Sequence, residues 1–275
     1  MSATPDRAAR ETLEREQSFH DAWADELDLK AVPVRETFTL STSPEPQWLL
    51  SRMGDLRGKR VMDLGCGAGE GAVYFALQGA SVVAVDLSEG MLQKVQQVAA
   101  LHGVTLETRQ ASADDLSAFE AESFDCVYGA NLLHHVNIDA TLAGVARVLK
   151  PGGMAAFWDP VEYNPAIQVY RRMATAVRTP DEHPLRRSDL ALFSRYFQSV
   201  EKRFFWFTAL LIFVKFYLID GIHPSADRYW KRILSHEAEI RGLYRFLARM
   251  DRVLLAVLPF LGWWCWNMAV FVRKK

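Results

Sequence analysis

The sequence has few cysteines, and none is spaced to build a metal site or a disulfide framework. Only Cys66, Cys126 and Cys265 occur among 275 residues, with no CxxC pair. The N-terminal residues are charged and lack the apolar stretch of a secretory signal. These absences predict a reduced, cytoplasmic protein.

The chain also lacks an overall excess of basic residues. Its formal net charge is −1, yet residues 201–275 contain thirteen Lys and Arg against six Asp and Glu, a net +7, so the rest carries −8. A nucleic-acid-binding protein would normally present a basic field around its site. The acidic front part therefore argues against a nucleic-acid partner.

From Lys59 onward the sequence contains a regular alternation of strand and helix patterns. The predicted strands are 60–64, 81–85, 104–108, 124–129 and 154–158, and the predicted helices are 71–78, 90–101 and 140–149. This spacing predicts βαβ units in a parallel sheet with helices on both faces. Flanking patterns predict helices at 9–29 and 48–53, a helix opened by Ser188, and strands at 204–207 and 266–272.

The strongest local signal is the segment VMDLGCGAGEG at 61–71. A strand carrying Asp63 runs into glycines at 65, 67, 69 and 71 before a helix begins. Glycines let the backbone approach a ligand closely, and a helix start offers unpaired N–H groups. The dinucleotide fingerprint G-x-G-x-x-G fails because Glu70 stands where its third glycine would be. An acidic residue beside the turn favours a cofactor that carries an ammonium group.

Residues 61–160 resemble the class I S-adenosylmethionine (SAM)-dependent methyltransferases of the branch that acts on small molecules. Besides the glycine segment, the matching stretches are VVAVDLSEGML, FDCVYGANLLHHV and ARVLKPGGMAAFWDP. The resemblance implies SAM as cofactor and a Rossmann-like α/β fold with a seven-stranded, mostly parallel sheet. It also leads us to expect a helical, apolar insertion between strands six and seven.

The resemblance further implies which residues bind the cofactor. The family places an acidic residue at the end of the second strand, here Asp86, to accept both ribose hydroxyls, and a carboxylate suits a diol. The family's Asp-Ala pair near the adenine aligns with Ser112 and Ala113, although Asp114 or Asp115 could reach over instead. The full predicted set is Asp63, Gly65, Cys66, Gly67, Gly69, Asp86, Leu87, Ser112, Ala113, Asn131 and Leu132.

Methyl transfer to a hydroxyl or carbon acceptor also requires removal of a proton. The candidates at the carboxyl edge of the predicted sheet are His134, His135, Glu162, Tyr163 and His183. The LHHV stretch is common in the family with very different acceptors, which argues against the first two. Asp181, Glu182 and His183 form either a polar border of the acceptor site or a simple turn. No spacing supports a metal site, so we expect none.

The C-terminal part combines apolar runs with basic residues. Residues 253–272 carry no charge and are long enough to span a bilayer, but Pro259, Gly262 and Asn267 interrupt them. The family fold also needs a final strand here. We therefore expect contact with the inner membrane surface through residues 204–265, or, equally, a buried lid or a homodimer face.

Together these patterns predict a single integrated domain. It comprises an N-terminal helical cap at 1–50, a SAM-binding core at 51–160, and an acceptor lid with the last strands and the insertion at 161–275. The expected activity is methyl transfer to a small, hydrophobic or lipid-like acceptor. The alternatives are a different reaction on the same fold and a non-catalytic SAM-binding partner protein.

Overall fold

The computed structural model describes residues 7–174, 179 and 182–275, and it is organised around one seven-stranded sheet. The strands are β1 (Arg60–Leu64), β2 (Ser81–Asp86), β3 (Glu107–Gln110), β4 (Phe124–Ala130), β5 (Leu149–Pro160), β6 (Ser199–Phe205) and β7 (Asn267–Arg273). Their order is β3-β2-β1-β4-β5-β7-β6, and β7 alone runs antiparallel to its neighbours β5 and β6. The predicted Rossmann-like, mostly parallel sheet is confirmed.

Eleven helices accompany the sheet in the described part of the chain. They are α1 (Arg7–Asp25), α2 (Glu36–Thr39), α3 (Pro44–Met53), α4 (Glu70–Leu77), α5 (Glu89–Leu101), α6 (Ile138–Val148), α7 (Pro165–Met173), α8 (Asp189–Tyr196), α9 (Leu211–Leu218), α10 (Tyr229–Ser235) and α11 (Glu237–Val257). Three of them, α9 to α11, lie between β6 and β7. None of the helices described is long and apolar enough to cross a membrane.

The central strands are buried on both faces, which explains their almost uninterrupted apolar sequences. Successive residues alternate between two core clusters: Val82 and Ala84 pack into one, and Val83 and Val85 into the other. The first cluster also contains residues of α3, α4 and α9–α11, and the second contains residues of α6 and α8. Because β1, β2, β4 and β5 are parallel, their carboxyl ends, which carry polar residues, meet at one edge of the sheet.

Three strands differ most from the sequence prediction: β5 is longer, at Leu149–Pro160 rather than 154–158, and the two edge strands are shifted. β3 begins at Glu107 rather than 104 because the Val104 N–H still bonds to Ala99 at the end of α5. β6 begins at Ser199 and ends at Phe205, since Trp206 adopts a left-handed φ of +68°. An exposed edge strand tolerates charged residues. The first half of β6 therefore lacks the apolar pattern by which a strand is predicted from sequence.

Candidate active site

The glycine-rich turn between β1 and α4 brings backbone to the carboxyl edge of the sheet. Gly65 has a φ of +67°, and a Cβ there would lie 2.7 Å from Leu132 Cδ1. Gly67 has a φ of +50° and faces open space. Both positions exclude ordinary side chains for conformational reasons. The turn thus leaves an unobstructed stretch of main chain along a cavity.

Asp86, at the end of β2, holds this turn in place. Its Oδ2 accepts the Gly67 N–H at 2.9 Å, and its Oδ1 accepts the Ser88 N–H at 2.9 Å. A carboxylate has about four acceptor sites, so each oxygen keeps capacity for another hydrogen bond. Leu87 follows directly, and its carbonyl accepts a bond from Gln110.

Asp63 is buried beneath the same turn. It accepts a backbone hydrogen bond from Ala72, but its Oδ2 has no partner among the described residues. Burial raises the pKa of Asp63 to about 8, and the nearby Glu70 and Asp86 add to the rise. The ligand-free carboxyl is therefore mostly protonated at neutral pH, and a nearby cation would favour its ionised form.

The residues after β3 and β4 lie further along this edge. The Ser112 hydroxyl accepts the Asp114 N–H at 3.2 Å, and Ala113 is buried. Asp114 is the alternative residue for the contact with the adenine. Its Oδ1 instead accepts bonds from Asn137 and Thr141 at the start of α6. Asn131 has a φ of +50° at the tip of β4, a conformation that asparagine tolerates better than most residues.

These elements enclose a cavity of about 270 Å³. Five of the predicted cofactor residues line it: Asp63, Gly65, Cys66, Gly67 and Asn131. Gly69, Asp86, Leu87, Ser112, Ala113 and Leu132 lie outside the lining. The remaining wall combines charged residues, among them Glu45, Glu70, Glu182 and Arg228, with a group of aromatic ones: Phe38, Tyr128, Trp158, Tyr170, Trp206, Trp230 and Trp266.

His134 and His135 both line the cavity, on a 3₁₀ turn just after β4. His134 Nδ1 lies 2.8 Å from Oδ1 of Asp159, which is fully buried near the end of β5. Burial raises the pKa of Asp159, opposed by backbone bonds from residues 132–134. His135 Nδ1 lies 3.2 Å from Glu16 Oε2. The sequence reasoning considered Asp159 with the two histidines only as a metal ligand set, and it did not predict the direct contact with His134.

Three predicted catalytic residues do not line the cavity. Glu162 binds the Arg186 guanidinium through both oxygens, at 2.7 and 3.0 Å, on the surface. The Tyr163 hydroxyl accepts the Arg187 N–H. His183 is exposed, and its backbone N–H bonds to the His134 carbonyl. Glu162 and Tyr163 thus contact Arg186 and Arg187 rather than the cavity. Of their neighbours, Glu182 lines the cavity, while Pro180 and Asp181 lie outside the described residues.

Helix α1 supplies a further wall that the sequence reasoning assigned only to a cap. Phe19, His20 and Trp23 line the cavity. The Arg228 guanidinium lies 4.0 Å from the centre of the Trp23 ring. Phe19 and Trp23 are four residues apart and therefore lie on one face of the helix. This spacing predicts an apolar face, but it does not indicate which surface that face covers.

His134, His135 and Glu182 each present a ligand atom within 4.8 Å of one another. Two of these groups already have carboxylate partners, His134 with Asp159 and His135 with Glu16. The expectation that the site uses no metal stays a prediction.

Comparison with known proteins agrees with this geometry. Residues 62–157 match the family described as Methyltransferase domain. A ubiquinone biosynthesis O-methyltransferase from Pseudomonas savastanoi pv. phaseolicola is 32% identical over 166 residues, covering 60% of this chain and 67% of that protein. Geranyl diphosphate methyltransferase in complex with GPP and sinefungin superposes with a TM-score of 0.55 at 16% identity, covering 85% and 78% of the two chains. Haemonchus contortus phosphoethanolamine N-methyltransferase 2 in complex with SAM gives 0.54 at 20% identity, covering 83% and 51%.

The residues present fit SAM. Asp63 offers an unpartnered buried oxygen to a cation, Gly67 leaves open space beside the main chain, and Asp86 keeps acceptor capacity. Asp63 and the turn would hold the charged amino-acid part, and Asp86 the ribose. With the relatives above, these features establish that the chain belongs to the class I SAM-dependent methyltransferases and uses SAM as its cofactor.

Proposed function

We propose that this enzyme methylates a hydroxyl group on a small, hydrophobic acceptor, with His134 as the proton acceptor. SAM supplies a methyl group already activated by its sulfonium. The protein's own contribution is to align the acceptor, keep water away and take up the hydroxyl proton. The observation that carries the proposal is the contact of His134, which lines the cavity beside several aromatic residues, with the buried Asp159 behind it.

The composition of the wall supports an apolar acceptor. Besides the aromatic residues it contains Ile167, Ile233 and Leu234. Flat aromatic side chains favour stacking with a ring and contribute little to binding a highly polar compound. The curated relatives are O-methyltransferases of ubiquinone biosynthesis, which supports oxygen as the methylated atom.

The contact with Asp159 supports the role of His134. A proton held on Nδ1 by the Asp159 carboxylate leaves Nε2 as the nitrogen that takes up the acceptor proton. The imidazolium so formed stays 2.8 Å from a carboxylate that stabilises its charge. Asp159 is therefore a positioning residue, held by backbone N–H groups of residues 132–134.

The test is transfer of label from methyl-labelled SAM to a matched set of acceptors. The set comprises a dihydroxybenzene with an alkyl tail, the same ring without the tail, and the tailed ring with both hydroxyls already methylated. We expect label in the first, far less in the second, and none in the third. Transfer to amines only, or equal rates with and without the tail, would contradict the proposal. SAM binding without transfer to any of the three compounds, or to any component of a cell extract added in their place, would favour the non-catalytic or different-reaction alternatives.

Replacement of the proposed base separates proton removal from alignment. His134→Gln should lower kcat by about 10²- to 10⁴-fold while SAM still binds. His183→Gln is the matched control, because that exposed side chain does not line the cavity, and it should keep its rate. Full activity in His134→Gln would remove His134 from the reaction.

A further inference from the structure

A second and larger cavity, of about 830 Å³, lies beside the edge strand β6. It is a groove between β6, α11 and the 3₁₀ turn at 259–264, and we call it the basic groove. None of its lining residues belongs to the stretch 62–157 that matches the methyltransferase family. The groove is thus a feature of this chain beyond the shared cofactor-binding core.

The basic groove carries an unbalanced positive charge. Its lining contains five cations: Lys202, Arg203, Arg245, Arg249 and Arg252. None of the five forms an ion pair with a carboxylate in the described part of the chain. Burial lowers the pKa of Arg203, and the charges of Arg252 and Arg52 lower it further. Mutual repulsion of this kind is relieved by a bound anion.

The one acidic lining residue among those described, Asp251, offsets a single cation and leaves the groove with a net charge of +4. Asp251 is buried, and its two oxygens accept the backbone N–H groups of Phe207 and Thr208 at 3.0 and 2.6 Å. Thr208 also donates its hydroxyl to the same carboxylate. Asp251 therefore serves the start of the 3₁₀ turn that precedes α9, and the arginines remain available to a ligand.

Apolar side chains line part of the groove, and others beside it are exposed to solvent. Its floor contains Phe204, Tyr244 and Trp263. Just beyond it, Val257, Phe260 and Trp264 are 71%, 63% and 51% exposed. Exposed aromatic and aliphatic residues beside arginines are typical of surfaces that enter the interface of an anionic bilayer.

We propose that the basic groove binds the phosphate headgroup of an anionic membrane phospholipid, while Val257, Phe260 and Trp264 enter its acyl region. A soluble anion would account for the five cations but not for the exposed apolar residues. A neutral apolar ligand would account for those residues but not for the cations. A second copy of this chain would bring the same positive charge to the contact. The inference does not depend on the reaction proposed above.

The test measures sedimentation of the purified protein with vesicles. We expect binding to vesicles of phosphatidylcholine with phosphatidylglycerol, no binding to phosphatidylcholine alone, and release by high salt. The variant Arg245→Gln/Arg249→Gln/Arg252→Gln should lower partitioning about 100-fold, since each basic residue contributes about 1 kcal/mol, or fivefold. All three side chains are exposed, so the fold should survive, and SAM binding checks it.

A matched control removes three exposed charges elsewhere. Lys30→Gln/Arg35→Gln/Arg57→Gln lowers the net charge equally and should keep most of the binding. A second variant, Phe260→Ser/Trp264→Ser, should also lose partitioning with its charge unchanged. Equal losses in the control would show a general charge effect and overturn the proposal.

Two further outcomes would also overturn it. Calorimetry with inorganic phosphate alone should give no tight binding, and micromolar affinity lost in the arginine variant would assign the groove to a soluble anion. Sedimentation velocity should show no dimer held together through the groove. A dimer that dissociates in the arginine variant would make the groove a subunit contact instead.

Discussion

Three buried carboxyl groups that line the cofactor cavity share a raised pKa. Burial raises the pKa of Asp63 to about 8 and that of Glu45 to about 7, and it also raises the pKa of Glu70. Asn267 donates to Glu45 at 2.8 Å. The ligand-free site therefore holds protons that the same residues would lose in an unfolded chain.

Asp63→Asn should weaken SAM binding and stabilise the ligand-free protein. The substitution removes the carboxylate that would face a cationic ligand, a loss of about 10- to 100-fold in affinity for a charge-assisted bond. It also removes the cost of keeping Asp63 protonated, up to about 4 kcal/mol at pH 7. Calorimetry and denaturant unfolding measure the two effects. Asp55→Asn is an exposed control, and a destabilised Asp63→Asn would contradict this account.

Asp159→Asn should alter the pH dependence of the reaction more than acceptor binding. The variant keeps the size of the side chain but removes the charge that stabilises protonated His134. We expect kcat to fall at least about tenfold, the acidic limb of the pH–rate profile to move to lower pH, and the acceptor KM to change little. A purely structural role would instead raise KM and leave the profile in place.

Among the elements, α1 is the one that covers the cofactor edge. Asp21 binds the Ser88 hydroxyl at the start of α5, and Glu16 lies 3.2 Å from His135. Burial alone would raise the pKa of Glu16, but the hydrogen bond and charge of His135 outweigh it and lower that pKa. Asp21 also accepts the Gly90 N–H, so the helix contacts both the start of α5 and the turn after β4.

Phe19→Ala/Trp23→Ala should therefore raise the rate of SAM dissociation. The two rings supply the apolar part of the cover, and their loss leaves the polar contacts to hold the helix. Stopped-flow displacement should show off-rates about 100-fold higher, as expected for two lost apolar contacts of about 1.5 kcal/mol each. Leu101→Ala changes an exposed apolar residue of α5 and should leave the off-rate unchanged.

The sequence predicted the core elements well because their signals are local. A buried parallel strand has its own apolar run, and the glycine segment needs no distant partner to be recognised. The catalytic candidates depended on contacts that no spacing encodes. His134 meets Asp159 across two strands, Glu16 reaches His135 from another helix, and Glu162 is bound by Arg186.

At the scale of the whole molecule, the raised pKa values predict how stability varies with pH. Asp63 and Glu45 keep their protons on folding well above the pH at which an unfolded chain loses them. The unfolding free energy of the ligand-free protein should therefore fall as pH rises from about 5 to 8. Thermal unfolding at pH 5, 6, 7 and 8 tests this, and the increment in Tm from saturating SAM should grow with pH. A Tm that rises over this range without ligand would contradict it.

Trp206 belongs to the walls of both the cofactor cavity and the basic groove. Its ring lies 4.8 Å from that of Tyr244 on the groove side and 5.8 Å from that of Trp266 on the cavity side. A ligand that displaces this indole from either side changes the shape offered to the other. Thermodynamic linkage makes such an influence mutual: whatever factor a groove ligand imposes on acceptor affinity, the acceptor imposes on the groove ligand.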